Sequence, residues 1–196
     1  KPLIAYSIEA VLGADCFDTV LVSTDSEEIA SIAESYGVRV YNRPPEYATD
    51  KMTVLEALVA MMDDVPRHDI FSYFLPTCPL VSSEDIKEGV SLLDHRTGSV
   101  VSVVSYADPI QLAMIKRGDE MIPIFDNLTA GLTNSRYLQK YYKPSGAFYM
   151  SWWDNLIKNK NFFVGNVKGY EMPKKRSVDI DDLMDIRYAE LILKGL

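Results

Sequence analysis

The chain has 196 residues, with 20 basic and 28 acidic side chains, a formal net charge of −8 and 47% hydrophobic content. That length and balance describe one soluble globular domain, and a surface so negative is not expected to bind nucleic acid. No apolar run approaches the roughly 20 residues that cross a bilayer, no stretch reads as a signal peptide, and Cys16 and Cys78 stand apart as free thiols suited to a reducing cytoplasm.

Apolar residues at 3, 4, 8, 11 and 12 predict a helix from Leu3 to Leu12, closed by Gly13. The short run Thr19–Ser23 reads as a strand covered on both faces. Asp25, with Glu28 three residues on, predicts a capping box for a helix over Ser26–Tyr36, stopped by Gly37. Val38–Tyr41 is the next strand, Arg43-Pro44-Pro45 is irregular, and Thr53–Met62 resumes helical spacing. Phe71–Leu75 predicts a buried strand ended by Pro76 and Pro79, and Ser82 or Ser83 caps a helix reaching about His95. Ser99–Ser105 is a valine-rich strand.

Strands alternating with helices of this length argue for a parallel α/β sheet with right-handed crossovers. From about Leu112 the texture changes to short strands, Leu112–Lys116 and Met121–Ile124, and then a polar, aromatic stretch to Pro144. Ala147–Ser151 is a strand and Asp182–Leu193 a closing helix. The middle segment reads as an insertion within a single domain spanning 1–196. The chain opens inside its first predicted helix, whereas a doubly wound sheet starts with a strand and a phosphate-binding loop. A strand and loop upstream of Lys1 are therefore expected.

In an extended segment, residues two apart share a side. In Arg176-Ser177-Val178-Asp179-Ile180-Asp181 this lets Val178 and Ile180 face the core while both carboxylates face out together. Converging hard oxygens suit magnesium. Spacing alone leaves open that Asp181 is a helix cap and Asp179 a solvated edge charge. Arg43 offers a phosphate clamp, or a surface ion pair with Glu46 or Asp50. Thr77 and Cys78 sit between two prolines at a strand end, and no local motif marks Cys78 as a nucleophile.

Val22-Ser23-Thr24-Asp25-Ser26-Glu27-Glu28-Ile29, Arg43-Pro44, Ala48-Thr49-Asp50, Pro76-Thr77-Cys78-Pro79-Leu80, Ser99-Val100-Val101-Ser102-Val103, Gly146-Ala147-Phe148-Tyr149 and the 176–181 run occur in the order seen in CMP-sialic acid synthetases. The chain resembles that family, which includes legionaminic acid relatives, over essentially its whole length. The resemblance implies a three-layer Rossmann-like fold of the nucleotide-diphospho-sugar transferase type, with a mixed, mostly parallel sheet. It implies transfer of CMP from CTP to the anomeric hydroxyl of a nonulosonic (sialic-type) acid in the cytoplasm. Asp179 and Asp181 would hold Mg2+ as the catalytic pair, with Asp181 assisting deprotonation. Arg43, Asp50 and Thr53 would face the nucleotide, and Leu75, Thr77 and Tyr149 the sugar. Phe162 and Phe163 would reach a neighbouring subunit's sugar pocket from a dimerisation extension at about 107–165, in a homodimer.

The chain departs from the family at Leu75, where a sugar-contacting glutamine is usual, at Cys78 for serine, at Ser145 for asparagine, at Val54 for a nucleotide-facing serine, and at Ser135-Arg136-Tyr137-Leu138-Gln139. A leucine cannot make a glutamine's hydrogen bonds, so a different sugar or sugar pose is expected. Two readings compete with the sialic acid branch: a cytidylyltransferase for the eight-carbon sugar of lipopolysaccharide, and a catalytically weak sugar- or nucleotide-binding paralogue.

Overall fold

The computed structural model describes residues 1–49 and 51–195. Helix α1 runs Leu3–Ala14 and leaves helical geometry at Asp15, whose φ is 51°. Gly13 is therefore not the stop that its position suggested. A Cβ there would meet Ser83 Oγ at 2.6 Å, so glycine permits a close crossing instead. Strand β1 (Leu21–Thr24) leads into α2 (Glu27–Ser35), and β2 (Arg39–Asn42) returns parallel to β1. The cap of α2 is Ser26, whose hydroxyl accepts from the Ile29 N–H, and not Asp25. Gly37 stops that helix as predicted, at φ 77°.

Helix α3 (Val54–Asp64), strand β3 (Ile70–Tyr73), helix α4 (Ser83–Ser91) and strand β4 (Ser99–Ser105) follow. Ser82 caps α4, which ends well before His95. Asp94 folds back onto the Arg96 N–H and the Thr97 hydroxyl and pairs with Lys168 Nζ at 2.8 Å, which holds that stretch as a turn. Strands β5 (Met114–Arg117) and β6 (Glu120–Pro123) form an antiparallel hairpin with Met114, Ile115, Met121 and Ile122 exposed. Strand β7 (Tyr142–Trp152), helix α5 (Trp153–Asn159), strand β8 (Val167–Glu171) and helix α6 (Leu183–Leu193) complete the order.

The main sheet has the order β3-β7-β4-β8, while β1 and β2 form a separate parallel pair. Strand β7 runs against both β3 and β4, and β4 is parallel to β8, so one reversed strand sits inside an otherwise parallel set. Helix α1 spans both pieces: Ile8 packs with Val22, Ala33 and Val38, while Val11 and Ala14 pack with Ile86, Phe148 and Met150. On the other side of the main sheet, Leu58, Met61 and Met62 of α3 and Leu156 of α5 pack with Phe71 and Val101.

The β4–β7 ladder slips between Val101 and Val103. There the fully buried Ser102 hydroxyl donates to Phe148 O at 3.0 Å and accepts from Phe148 N at 2.9 Å, replacing the missing backbone bonds. Ser102→Ala should cost about 2 kcal/mol, because it leaves a buried N–H and C=O unpaired. Urea unfolding checks this; a loss below about 0.5 kcal/mol would mean that the hydroxyl is dispensable to the bulge.

Candidate active site

The parallel strands present their carboxyl ends to one edge, where open α/β sheets bind ligands. After β3 the chain turns through Leu75–Cys78, with the Cys78 N–H bonded to Leu75 O at 3.2 Å. Residues 177–181 run alongside without regular structure, tied by the Ile180 N–H to Thr77 O at 2.9 Å. Val178 is buried against Leu80 and Ala189, with Ile180 and Ile192 packed on the same cluster, while Asp179 and Asp181 are exposed. The alternation read from the sequence is the one observed. Asp182, not Asp181, caps α6, accepting from the Met184 and Asp185 N–H groups. Asp181 is thus relieved of a capping role, and neither Asp179 nor Asp181 forms an ion pair with a described residue.

Gly146 closes the floor beside Asp179. Its φ is 84°, and a Cβ there would stand 2.9 Å from Cys78 Sγ, 3.1 Å from Leu75 Cδ1 and 3.2 Å from Asp179 Oδ2. Cys78 is 2% exposed, and its thiol lies 3.5 Å from Ser145 O. Burial, reinforced by the Asp179 carboxylate beside it, pushes the thiol up to about 12. It stays a neutral filler at any working pH and is no nucleophile.

An aromatic wall adjoins this floor. Tyr73 and Tyr149 stack with ring centres 6.1 Å apart, and Tyr149 also packs against Phe162 at 5.5 Å and edge-on to Phe163 at 6.3 Å. Burial raises Tyr73 to about 12 and raises Tyr149 as well, so both phenols remain neutral donors. Phe162 is buried in its own chain's core; Phe163, 54% exposed, is the one of the pair with surface to offer.

Arg43 stands just past β2. Its guanidinium donates through Nη2 to Ser23 O at 2.7 Å and through Nε to Ser23 Oγ at 3.3 Å, which steadies it at the end of β1 and not on Glu46. Thr53 is spent as the cap of α3: its hydroxyl donates to Glu56 Oε2 at 2.7 Å and accepts from the Glu56 N–H. Its Thr-x-x-Glu spacing signals that role more directly than a nucleotide contact. Asp50 lies outside the described residues. Leu75, Thr77, Cys78, Gly146, Tyr149 and the carboxylate pair are therefore brought together, and Thr53 is not bonded to them. The sequence did not single out Tyr73, although it follows Phe71 at strand period on the opposite register to Ser72. Among the described residues no cluster of three or more histidine, cysteine, aspartate or glutamate side chains is placed to hold a metal, which leaves Asp179 and Asp181 as a two-carboxylate set.

Residues 1–149 match the family described as Cytidylyltransferase. N-acylneuraminate cytidylyltransferase of Escherichia coli is 35% identical over 191 residues, which cover 96% of this chain and 45% of that protein. The chain thus spans less than half of that relative. Pseudaminic acid cytidylyltransferase of Campylobacter jejuni is 27% identical over 99% of this chain and 86% of its own length. CMP-N,N'-diacetyllegionaminic acid synthase of Legionella pneumophila is 30% identical over the same shares. Among solved structures, CMP:2-keto-3-deoxy-manno-octonic acid synthetase complexed with CTP superposes with a TM-score of 0.68 at 16% identity, covering 100% of this chain and 89% of that one. The 4-diphosphocytidyl-2C-methyl-D-erythritol synthase of Anaerococcus prevotii superposes with a TM-score of 0.72 at 15% identity, covering 98% and 89%. These superpositions bear out the Rossmann-like α/β fold with a mixed sheet, and by the match over residues 1–149 the chain belongs to the cytidylyltransferase family.

Proposed function

We propose that this chain transfers CMP from CTP to the anomeric hydroxyl of a nonulosonic acid, releasing pyrophosphate. The observation that carries the reading is the exposed carboxylate couple Asp179 and Asp181, in no ion pair with a described residue and held beside the Tyr73–Tyr149 wall at the carboxyl edge of the sheet. In the reaction the hydroxyl oxygen attacks the α-phosphorus of CTP, its proton departs, and the bond from that phosphorus to the bridging oxygen breaks. Arg43 serves the nucleotide as a fixed positive group. Asp181 takes up the hydroxyl's proton as bonding develops. Tyr149 and Thr77 face the sugar, and Leu75 supplies an apolar contact where a hydrogen-bonding sugar group would go unmatched.

The carboxylates fit Mg2+: they are hard, exposed oxygen donors, and a pair leaves room for waters and triphosphate oxygens in an octahedral shell. Bound there, the ion would neutralise charge gathering on the phosphate oxygens. A homodimer fits the insertion, whose hairpin residues Met114, Ile115, Met121 and Ile122 lie exposed with Ile124, Tyr137 and Phe163. The cytoplasm, where CTP is made and thiols stay reduced, suits free Cys16 and Cys78. Among the described residues no helix is long and apolar enough to cross a membrane.

Incubating the protein at its full native length with CTP, Mg2+ and a panel of nonulosonic acids should yield pyrophosphate and a CMP-sugar. The panel includes sialic, pseudaminic and legionaminic types and, as competitor, the eight-carbon 2-keto-3-deoxy-manno-octonic acid. Turnover with the eight-carbon acid alone would move the substrate class. No turnover with any of them would leave a binding protein and sink the enzyme reading.

A further inference from the structure

Behind the carboxylate pair lies a buried charge cluster that the reaction does not use. Asp85, in the first turn of α4, has a side chain 2% exposed. Arg176 grips it with both terminal nitrogens, Nη2 to Oδ1 at 2.7 Å and Nη1 to Oδ2, and also donates to Leu80 O at 3.1 Å. The Tyr170 hydroxyl from β8 donates to Oδ1 at 2.7 Å, and the Ser82 N–H and hydroxyl each reach Oδ2 at 2.8 Å. Burial alone would raise this carboxyl, but Arg176, the Ser82 N–H and Tyr170 together hold it down at about 2.

Arg176 closes the short helical turn Lys174–Arg176, and Asp179 stands three residues on. Past Asp179, the Ile180 N–H is fastened to Thr77 O at 2.9 Å. The intervening stretch is thus clamped at both ends, on α4 through Arg176 and on the turn after β3 through Ile180. We propose that Asp85 and Arg176 are positioning residues that set where the Asp179 and Asp181 carboxylates stand, an inference that rests on the metal role proposed for that pair. A buried ion pair is a poor device for stability alone, since apolar side chains of the same volume serve as well. What a bidentate arginine adds is direction. Three extended residues reach only about 10 Å, so a shift at Arg176 passes into Asp179 with little room for absorption.

The test compares Arg176→Lys, which keeps the charge and loses the fork, with Asp85→Asn and with Asp94→Asn. The last removes the Lys168 pair beyond the far end of α4 and serves as a purely structural control. Mn2+ is the probe, its dissociation constant read by electron paramagnetic resonance with CTP present, alongside kcat and KM for CTP. Arg176→Lys and Asp85→Asn should each weaken Mn2+ binding and lower kcat by about tenfold, as loss of groups that orient metal ligands does. KM for CTP should move little, and Asp94→Asn should change neither quantity. A lower thermal midpoint with unchanged Mn2+ affinity and kcat in Arg176→Lys would reduce the cluster to a fold anchor and overturn the inference. Asp181→Ala separates the two levels. If it binds Mn2+ as the wild type does, the metal role and the inference fall together. If it loses Mn2+ while Arg176→Lys retains it, only the positioning role falls. Should Asp85→Asn fail to fold, Arg176→Lys carries the comparison.

Discussion

Asp181→Ala is expected to lower kcat by roughly 100- to 1000-fold while leaving the thermal midpoint unchanged or slightly raised. Charge stabilisation at a metal-assisted phosphoryl centre supplies several kcal/mol, and each 1.36 kcal/mol is a factor of ten. The stability half follows from the local geometry. Asp181 is exposed, its carboxylate is in no ion pair with a described residue, and the cap of α6 belongs to Asp182. Its N–H bond to Asp185 Oδ2, at 3.0 Å, survives substitution because it uses the backbone. Removing one of two neighbouring negative charges also relieves repulsion. Asp182→Ala should do the reverse, costing about 1 kcal/mol of stability as a lost cap. Steady-state kinetics and a melting curve on the two variants suffice. An Asp181→Ala protein of near-normal kcat would break the assignment.

Gly146→Ala should cost about 3 kcal/mol of stability and most of the activity. A φ of 84° strains any residue with a Cβ by about 1–2 kcal/mol, and crowding in a closed site adds a comparable amount. The three obstacles respond differently. Cys78 Sγ is buried on a turn held by prolines and cannot retreat, while the Leu75 methyl can rotate at some loss of packing. Asp179 is exposed and yields most easily, so the new methyl group swings aside the very carboxylate that the reaction needs. Pairing the change with Cys78→Ala should recover part of the stability and little of kcat. A Gly146→Ala protein as stable and active as wild type would mean that the floor is looser than these distances require.

Much of this was legible in the residue order where one force dominates. Ser99–Ser105 was legible to both ends because a valine-rich run, interrupted only by Ser102 and buried on both faces, has no competing period. Asp179 and Asp181 were legible because alternation with Val178 and Ile180 survives even without a ladder. Strand β8 was missed: Val167–Glu171 is short and polar, and Gly169 is there because a Cβ would meet Val103 Cγ2 at 3.1 Å, a tertiary demand that no local pattern announces. Strand β7 was read short because Tyr142-Lys143-Pro144 looks like loop; its pairing partner β4 makes it a strand, with Pro144 beside the bulge. Arg176 opens the run that carries Asp179 and Asp181, yet nothing local marks its role, since its partner Asp85 is 91 residues away.

The division of the sheet has a consequence for how the protein tolerates change. Arg43 belongs to the β1–β2 piece and the carboxylate floor to the β3-β7-β4-β8 piece, and no strand-to-strand ladder joins the two among the described residues. Helix α1 bridges them, with Ile8 seated on one piece and Val11 on the other, and so does Tyr41 of β2, whose hydroxyl donates to Asp64 Oδ2 at the end of α3. A one-methylene change at Ile8 or Val11, remote from any substrate atom, is expected to disturb the packing through which the nucleotide and sugar ends are held together. Drift at such packing positions is expected to shift catalytic efficiency while every site residue stays in place.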